Sequence, residues 1–516
     1  MDNYKTSKEA FVSNMTGSSI GHINLVSSAA LASIGLYSAF QSRFSPHISN
    51  HPLASCLILV LPLLLSMTFF ADSPVTLALL ILLPTGFLLL KPRRDSSVVL
   101  PNSTPQQESE TTAKIEPFPA VTTYRAHMML MTILAILAVD FPVFPRKLAK
   151  CETFGVSLMD IGVGSFVFSQ GIVSAIPILK DPTYLTLPMW KKLPVVIRKT
   201  SPIILLGVIR VILVKGVEYP EHETEYGAHW NFFITLALLP ILQVLLHPLI
   251  LRLPVSLIGI LVGIAHQFSL SWFGLENYVL HVPRTSIISA NKEGIASLIG
   301  YLAIQLLGLS TGTIVLPPSP NHFRRQQQAL SDRSSKRRDS TASPSITQRQ
   351  NDKTATVLFS YGVLWWSFLG ITKLLAVGTN VSRRMANLQY VLWVAAYNTS
   401  FILGYILLDL YFFPSPLSKS VYSPTSKLKV SVQSPAFPAS NASQARQLGN
   451  PPPLLEAINR NGLALFLLAN VATGLINMSV QTMYMSDLWA FCILVTYSFG
   501  ISLIAWALRS RRLVKL

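Results

Sequence analysis

Long apolar segments recur along almost the whole chain, and no other feature constrains the fold as strongly. Half of the 516 residues are hydrophobic and only 12% are charged, against about 25% charged residues in an average soluble chain. A segment of roughly 20 apolar residues is long enough to cross the hydrocarbon core of a bilayer as a helix. The sequence therefore predicts an all-α fold, a polytopic bundle of transmembrane helices.

Counting the apolar segments by this length criterion predicts about 13 transmembrane helices. The fourth and sixth segments are short for a complete span, so each needs flanking residues, a kink or burial against the rest of the protein. The predicted spans are 23–40, 53–70, 75–90, 127–140, 158–179, 202–215, 230–251, 254–273, 294–316, 355–377, 388–413, 461–480 and 488–508.

The basic residues collect in alternate loops between the predicted spans, and this distribution sets an orientation. Lys and Arg are frequent after residue 90, in 180–199, in 321–353, in 419–446 and in the C-terminal tail. Loops rich in Lys and Arg face the cytosol, so we expect a cytosolic C-terminus, a luminal N-terminus and no cleaved signal peptide. The net charge of +18 is therefore assigned to topology and anionic lipid rather than to nucleic acid.

These assignments divide the chain into regions. Three stretches rich in Ser, Pro, Gln or charge, 101–119, 317–353 and 414–453, are predicted to be disordered. The regions are a luminal segment 1–22, three spans in 23–90, a cytosolic loop 91–124, spans four to nine with the candidate catalytic region in 125–316, a basic cytosolic loop 317–354, spans ten and eleven in 355–413, a cytosolic loop 414–458, the last two spans in 459–508 and a cytosolic tail 509–516.

Three charged residues lie at or beside the ends of two neighbouring spans. Asp140 ends the fourth predicted span, Lys150 follows after a proline-stiffened turn, and Asp160 lies in the fifth span. Charged groups at membrane depth are costly and usually mark a functional site. Asp140 and Lys150 can act as a general base and its cationic partner, or they can form a structural ion pair that fixes the turn. Asp160 either orients this site or is only a buried polar group of its helix.

The predicted luminal loop before the seventh span carries His222 and His229. A zinc site does not fit their spacing, because a His-Glu-x-x-His pattern is absent, and we predict no metal. Hydrogen bonding to a substrate and a plain acidic loop both remain open for these residues.

Basic residues also stand at the starts of later spans. Arg284 and Lys292 precede or open the ninth span, and Arg383 precedes the eleventh. Cations beside the free N–H groups of a helix start can bind phosphate, or they can anchor the helix at the membrane interface. Asn398 lies inside the eleventh span, where it either lines a cavity or only satisfies packing.

Five long motifs stand out in the sequence: LAVDFPVFPRKLAKCETFGVSLMDIGVGSFVFSQGIVS, EYGAHWNFF, NKEGIASLIGYLAI, SRRMANLQYVLWV and NRNGLALFLLANVATGLIN. Together they resemble the GPI inositol-acyltransferase family of fungi and animals, over about residues 11–505. The resemblance implies a multi-pass protein of the endoplasmic reticulum membrane. It implies transfer of an acyl group, typically palmitoyl, from acyl-CoA to the inositol 2-hydroxyl of glucosaminyl-phosphatidylinositol in GPI-anchor synthesis. The expected partners are these two substrates and membrane lipid, and acyl-CoA is a co-substrate with no further cofactor.

The expected mechanism is direct transfer, in which Asp140 deprotonates the inositol hydroxyl and Lys150 stabilises negative charge on Asp140 or on the oxyanion. A covalent route through Cys151 is the alternative within this chemistry, although no base stands beside it in the sequence. Two other classes remain open: a glycolipid or proton-coupled transporter, and a non-catalytic scaffold of a GPI-synthesis complex. Transporters often show inverted repeats, and the sequence shows no internal repeat.

Overall fold

The computed structural model describes residues 7–8, 10–11, 13, 15–44, 51–92, 117–215, 223–331, 349–378, 380–413 and 450–513. These residues form helices and their connections, with no β-strand among them, which confirms the predicted all-α class. In chain order the helices are α1 (Ile20–Arg43), α2 (Pro52–Leu59), α3 (Leu61–Ser66), α4 (Pro74–Leu90), α5 (Pro119–Ala138), α6 (Leu158–Lys180), α7 (Met189–Lys215), α8 (Glu223–Tyr226), α9 (Phe232–Leu245), α10 (His247–Ile250), α11 (Val255–Trp272), α12 (Leu275–His281), α13 (Ile287–Ala290), α14 (Lys292–Val315), α15 (His322–Ser331), α16 (Asn351–Leu374), α17 (Leu388–Phe412), α18 (Pro453–Arg460), α19 (Gly462–Ser479) and α20 (Asp487–Ala507).

Nine helices of the described residues are long and apolar enough to cross a membrane, namely α1, α5, α6, α11, α14, α16, α17, α19 and α20. Three shorter apolar stretches, Pro52–Ser66, Pro74–Leu90 and Phe232–Leu245, coincide with further predicted spans. The sixth predicted span falls in α7, whose 27 residues include several Lys and Arg. The polytopic helical bundle is therefore confirmed, whereas the number of 13 spans stays a prediction.

Helices extend into several segments that were predicted as loops. The short fourth span gains its missing length at its start, where α5 begins at Pro119 inside the predicted loop 91–124. Similarly, α7 begins at Met189 inside the predicted loop 180–199. Within 317–354, residues His322–Ser331 form α15 and α16 begins at Asn351. Within 414–458, α18 begins at Pro453, and residues 414–449 lie outside the described part of the chain.

The centre of the bundle is the pair α6 and α14, which make the most extensive contact of any two helices. Glycines let their backbones meet. A Cβ atom added at Gly171 would lie 2.2 Å from the carbonyl oxygen of Gln305, and one at Gly308 would lie 2.2 Å from that of Phe168. Small residues at a helix interface permit this approach inside a membrane. At Gly164 of α6, an added Cβ would lie 2.4 Å from the side chain of Val394 of α17, so a glycine is needed for the close packing there.

The loop between α5 and α6, residues 139–157, is held in place by internal donors and by the N-terminal segment. Arg146 donates hydrogen bonds to the carbonyls of Val139 and Phe141, both at 2.9 Å, so it satisfies acceptors where α5 ends. Burial lowers the pKa of Arg146 to about 10, against the opposing effect of Asp140. The N-terminal segment contacts this loop at Ser18, whose N–H donates a hydrogen bond to the carbonyl oxygen of Val156 at 2.7 Å.

Candidate functional site in a membrane-embedded cavity

A cavity of about 370 Å³ lies among α1, α5, α6, α7, α17 and α19, a volume typical of ligand pockets. Its lining runs along α5 from Tyr124 to Val139, which corresponds to about 22 Å at 1.5 Å per residue. Apolar side chains dominate its length, among them Met131, Ile136 and Phe401. The cavity therefore has the length and the surface that a fatty acyl chain requires.

A charged pair lines the cavity at the end where α5 finishes. The Lys150 ammonium lies 2.9 Å from Oε1 and 3.0 Å from Oε2 of Glu225, which belongs to α8. The Lys150 side chain is 38% exposed and that of Glu225 is 21% exposed, so both groups are accessible to a ligand. Arg210 of α7 also lines this cavity. Lys150 is thus placed as a cation beside an acyl-sized cavity, but its partner carboxylate is Glu225.

Asp140 has different partners from those expected. Its Oδ1 lies 3.3 Å from the ammonium of Lys8, and its Oδ2 accepts a hydrogen bond from Asn477 at 2.8 Å. Lys8 in turn donates a hydrogen bond to Asn477 Oδ1 at 2.9 Å, so each of the three side chains contacts the other two. The expectation that Asp140 and Lys150 pair directly is therefore wrong for this arrangement. Asp140 is buried next in sequence to Val139, which lines the cavity.

Asp160 connects the loop that contains Cys151 to the segment that contains Arg383. Its carboxylate is fully buried and forms an ion pair with Arg383 at 2.7 Å. The same carboxylate accepts hydrogen bonds from Ser157 Oγ at 2.8 Å and from the N–H of Cys151 at 3.0 Å. Since Cys151 adjoins Lys150, these contacts favour the orienting alternative for Asp160, which stays a prediction. Arg383 is buried and pairs with Asp160 through Nε, so its interpretation as a phosphate ligand stays a prediction without support from these contacts.

Cys151 is a poor nucleophile in this setting. Burial raises the pKa of its thiol well above the usual value, and the neighbouring Asp160 raises it further. A thiol must be deprotonated to attack a thioester. The covalent alternative is therefore disfavoured by the geometry.

Arg284 and Lys292 also have internal partners. Arg284 donates to both oxygens of the fully buried Glu293, at 2.8 and 3.0 Å, and Arg384 donates to Glu293 at 2.9 Å. The ammonium of Lys292 donates to the backbone carbonyls of Tyr278 and Val282, near the end of α12. Neither Arg284 nor Lys292 lines the cavity, so a role in holding phosphate stays a prediction without support from these contacts.

Four polar side chains form a cluster deep in the cavity, and the sequence predicted only one of them, Asn398. Tyr124 donates to Asn398 Oδ1 at 2.6 Å, and Nδ1 of His127 lies 2.8 Å from the Tyr405 hydroxyl. All four line the cavity, and the buried Nε2 of His127 has no partner among the described residues. The available signal was that Tyr124 and His127 are three apart on an apolar helix and so share a face.

His229 of the predicted luminal loop is not among the residues that line the cavity. His229 is exposed, and its backbone N–H donates to Asn291 Oδ1 at 2.8 Å. His222 lies outside the described residues. In the part of the chain that the structure describes, no three His, Cys, Asp or Glu side chains cluster as a metal site requires.

Fold and site define a multi-pass membrane protein that encloses an acyl-sized cavity with a charged pair at one end. Residues 4–508 match the GWT1 family, and the chain belongs to that family. GPI-anchored wall transfer protein 1 of Cryptococcus neoformans var. grubii is 36% identical, covering 99% of this chain and 100% of its own. The protein of the same name from Gibberella zeae is 38% identical, covering 98% and 97%, and that from Yarrowia lipolytica is 36% identical, covering 99% of both.

Proposed function

We propose that this chain is an acyltransferase of GPI-anchor biosynthesis in the endoplasmic reticulum membrane. It transfers a fatty acyl group, typically palmitoyl, from acyl-CoA to the inositol 2-hydroxyl of glucosaminyl-phosphatidylinositol. The observation that carries the proposal is the cavity of about 370 Å³, because it joins an acyl-sized apolar surface to the Lys150–Glu225 pair. Membership of the GWT1 family supports a role in GPI-anchor biosynthesis.

In this reaction the inositol oxygen forms a bond to the thioester carbonyl carbon, and the carbon–sulfur bond breaks. The hydroxyl proton passes to a carboxylate base, and the leaving thiolate takes up a proton to become the thiol of CoA. Lys150 lines the cavity and stabilises the negative charge that develops on the carbonyl oxygen. The base is the predicted Asp140, whose carboxylate must first be released by Lys8.

Glu225 is the other carboxylate near the reacting atoms. It contacts Lys150 and lines the cavity, whereas Asp140 is not among the residues that line it. In the proposed division of labour, Glu225 holds the Lys150 ammonium in position before the substrates arrive. Asp140 takes the proton once the acceptor has displaced Lys8.

The test is acyl transfer by the purified chain in lipid nanodiscs, given palmitoyl-CoA and glucosaminyl-phosphatidylinositol and followed by mass spectrometry. An acceptor with a methylated inositol 2-hydroxyl is the matched control and should give no product. Acylation of the natural acceptor alone would support the proposal. Product from neither acceptor, in a preparation that still binds palmitoyl-CoA, would refute an acyltransferase and leave the transporter or scaffold classes.

A further inference from the structure

Asn477, near the end of α19, stands beside the carboxylate of Asp140. Its Nδ2 donates a hydrogen bond to Asp140 Oδ2 at 2.8 Å, and this contact joins α19 to the end of α5. The Asp140 side chain is only 5% exposed, so bulk water supplies few of the hydrogen bonds that a carboxylate requires. Among the described residues, this side chain has two polar partners, Asn477 and Lys8.

The orientation of the Asn477 amide follows from its other contacts. Its Oδ1 accepts hydrogen bonds from the Lys8 ammonium at 2.9 Å and from the Thr482 hydroxyl at 3.1 Å. An amide oxygen accepts and an amide nitrogen donates, so these two donors direct Nδ2 toward Asp140. Thr482 is fully buried and begins the short turn after α19. It therefore orients the amide independently of Lys8.

The two partners of Asp140 differ in charge and in attachment. Lys8 belongs to the N-terminal segment, and the proposed reaction requires its ammonium to leave the carboxylate before a proton can be taken up. Asn477 belongs to a membrane helix of 18 residues and stays in place. A neutral amide stabilises the ionised carboxylate by a hydrogen bond and weakens it as a base less than an ion pair does.

Arg146, in the loop between α5 and α6, is the other cation near Asp140. The charge of Asp140 acts on this guanidinium, but the guanidinium donates its hydrogen bonds to backbone carbonyls, those of Val139, Phe141 and Phe144. Arg146 therefore supplies charge near the carboxylate without fixing the direction of its oxygens. Once Lys8 is displaced, Asn477 is the remaining hydrogen-bond donor to this carboxylate in the part of the chain that the structure describes.

We propose that Asn477 is a positioning residue for the general base and that it fixes which oxygen of Asp140 takes the proton. The proposal rests on the role of Asp140 in the acyl transfer proposed above. Asn477 keeps its hydrogen bond to Oδ2, while Oδ1 is the oxygen that faces Lys8 and becomes free when Lys8 leaves. The proton of the acceptor hydroxyl therefore passes to Oδ1, as the hydroxyl oxygen forms its bond to the thioester carbon.

The test is Asn477→Leu, which removes the amide and keeps a side chain of similar volume. Gln481→Leu is the matched control, because Gln481 is an exposed amide just after α19 and lines neither described cavity. We expect Asn477→Leu to lower kcat about 10- to 100-fold, as for a lost hydrogen bond to a charged group. The KM values for palmitoyl-CoA and for the lipid acceptor should stay unchanged, because Asn477 contacts neither substrate, and Gln481→Leu should change none of the three.

Thr482→Val is the second variant, for the case that Asn477→Leu does not fold. It removes the hydroxyl that orients the amide, and it should lower kcat about three- to tenfold. In an Asp140→Asn background neither substitution should reduce the residual rate further, since a positioning residue acts through the base. Unchanged kcat in folded Asn477→Leu, or in Thr482→Val if the first variant does not fold, would overturn the proposal. Losses that add to that of Asp140→Asn would overturn it as well.

Labelling of Asp140 by a hydrophobic carbodiimide, measured by mass spectrometry at neutral pH, tests the same contact without turnover. Carbodiimides react with the protonated carboxyl group, and loss of a hydrogen-bond donor destabilises the ionised form. Adding Asn477→Leu to Lys8→Met should speed labelling about tenfold, and adding Gln481→Leu should not. If the wild-type chain transfers no acyl group but this difference is found, the proposed function fails and the positioning of Asp140 by Asn477 stands. Equal labelling rates would overturn the proposal.

Discussion

Removing the Asp140 carboxylate should lower activity far more than removing its cationic partner Lys8, whereas the two changes should have similar effects on stability. The Lys8 and Asp140 side chains are only 10% and 5% exposed and lie 3.3 Å apart. Breaking a buried ion pair by removing one partner costs about 3–5 kcal/mol of stability, because the other charge stays buried and unpaired. Asp140→Asn and Lys8→Met should therefore both lower the thermal unfolding temperature.

The activities should separate the two roles of Asp140. A general base contributes on the order of 10²–10⁴-fold to the rate, so Asp140→Asn should reduce kcat by about 100-fold or more. Lys8→Met keeps the carboxylate and removes the group that covers it, and it should retain kcat within about tenfold of the wild-type value. The assay is acyl transfer per folded molecule, with folded protein quantified by size-exclusion chromatography.

The double variant Lys8→Met/Asp140→Asn completes the cycle. It removes both charges, so the stability should recover relative to either single variant. Activity should stay as low as in Asp140→Asn, because the base is still missing. If the double variant instead regains activity, or if Lys8→Met alone is as inactive as Asp140→Asn, then the carboxylate only anchors the N-terminal segment and its assignment as the base is refuted.

The remaining predictions concern the cation, the thiol, a loop and the topology. Lys150→Met should abolish acyl transfer and Lys150→Arg should restore only part of it, because the planar guanidinium has a different reach; full activity of the Met variant would reduce Lys150 to an anchor. Cys151→Ala should retain kcat within about tenfold, and a mass-detected acyl adduct that disappears in this variant would contradict direct transfer. Replacing the polar residues 332–348 by a short Gly-Ser linker should leave kcat unchanged, since such segments tolerate shortening; inactivity in a folded, correctly located variant would assign that segment a functional contact. Single cysteines at Glu223 and Ser331 in a cysteine-free background should label from opposite sides of sealed microsomes, and labelling of both from the cytosolic side would overturn the predicted orientation.

The sequence predicts the helical class well because apolar length alone decides whether a segment can cross a bilayer. It predicts helix boundaries less well. Pro119 begins α5 well before the strongly apolar run, because the first turns of α5 are buried against protein rather than exposed to lipid. The mean hydropathy of a segment depends only on its composition, so it does not detect burial against protein.

The candidate site was only partly predictable for a related reason. Asp140 and Lys150 are prominent because they interrupt or follow an apolar run, yet sequence proximity does not determine which charges pair. Lys8 comes from the N-terminal segment and Glu225 from α8, and only the folded chain brings them to the residues that they contact. The sequence gives little signal for the cluster of Tyr124 and His127, because a single polar residue in an apolar helix most often has only a packing role.

The contact between α6 and α14 limits how the cavity can change its size. At Gly171, Gly308 and Gly312 the backbones of these helices meet without an intervening side chain, so we expect the two helices to move as one unit. In contrast, only 17% of the residues in the most apolar part of α19 are buried inside the protein, and the outer face of this helix is available to lipid. We therefore expect changes in the size of the cavity to occur on the α19 side. The thickness and fluidity of the surrounding bilayer should then affect the rate of substrate entry.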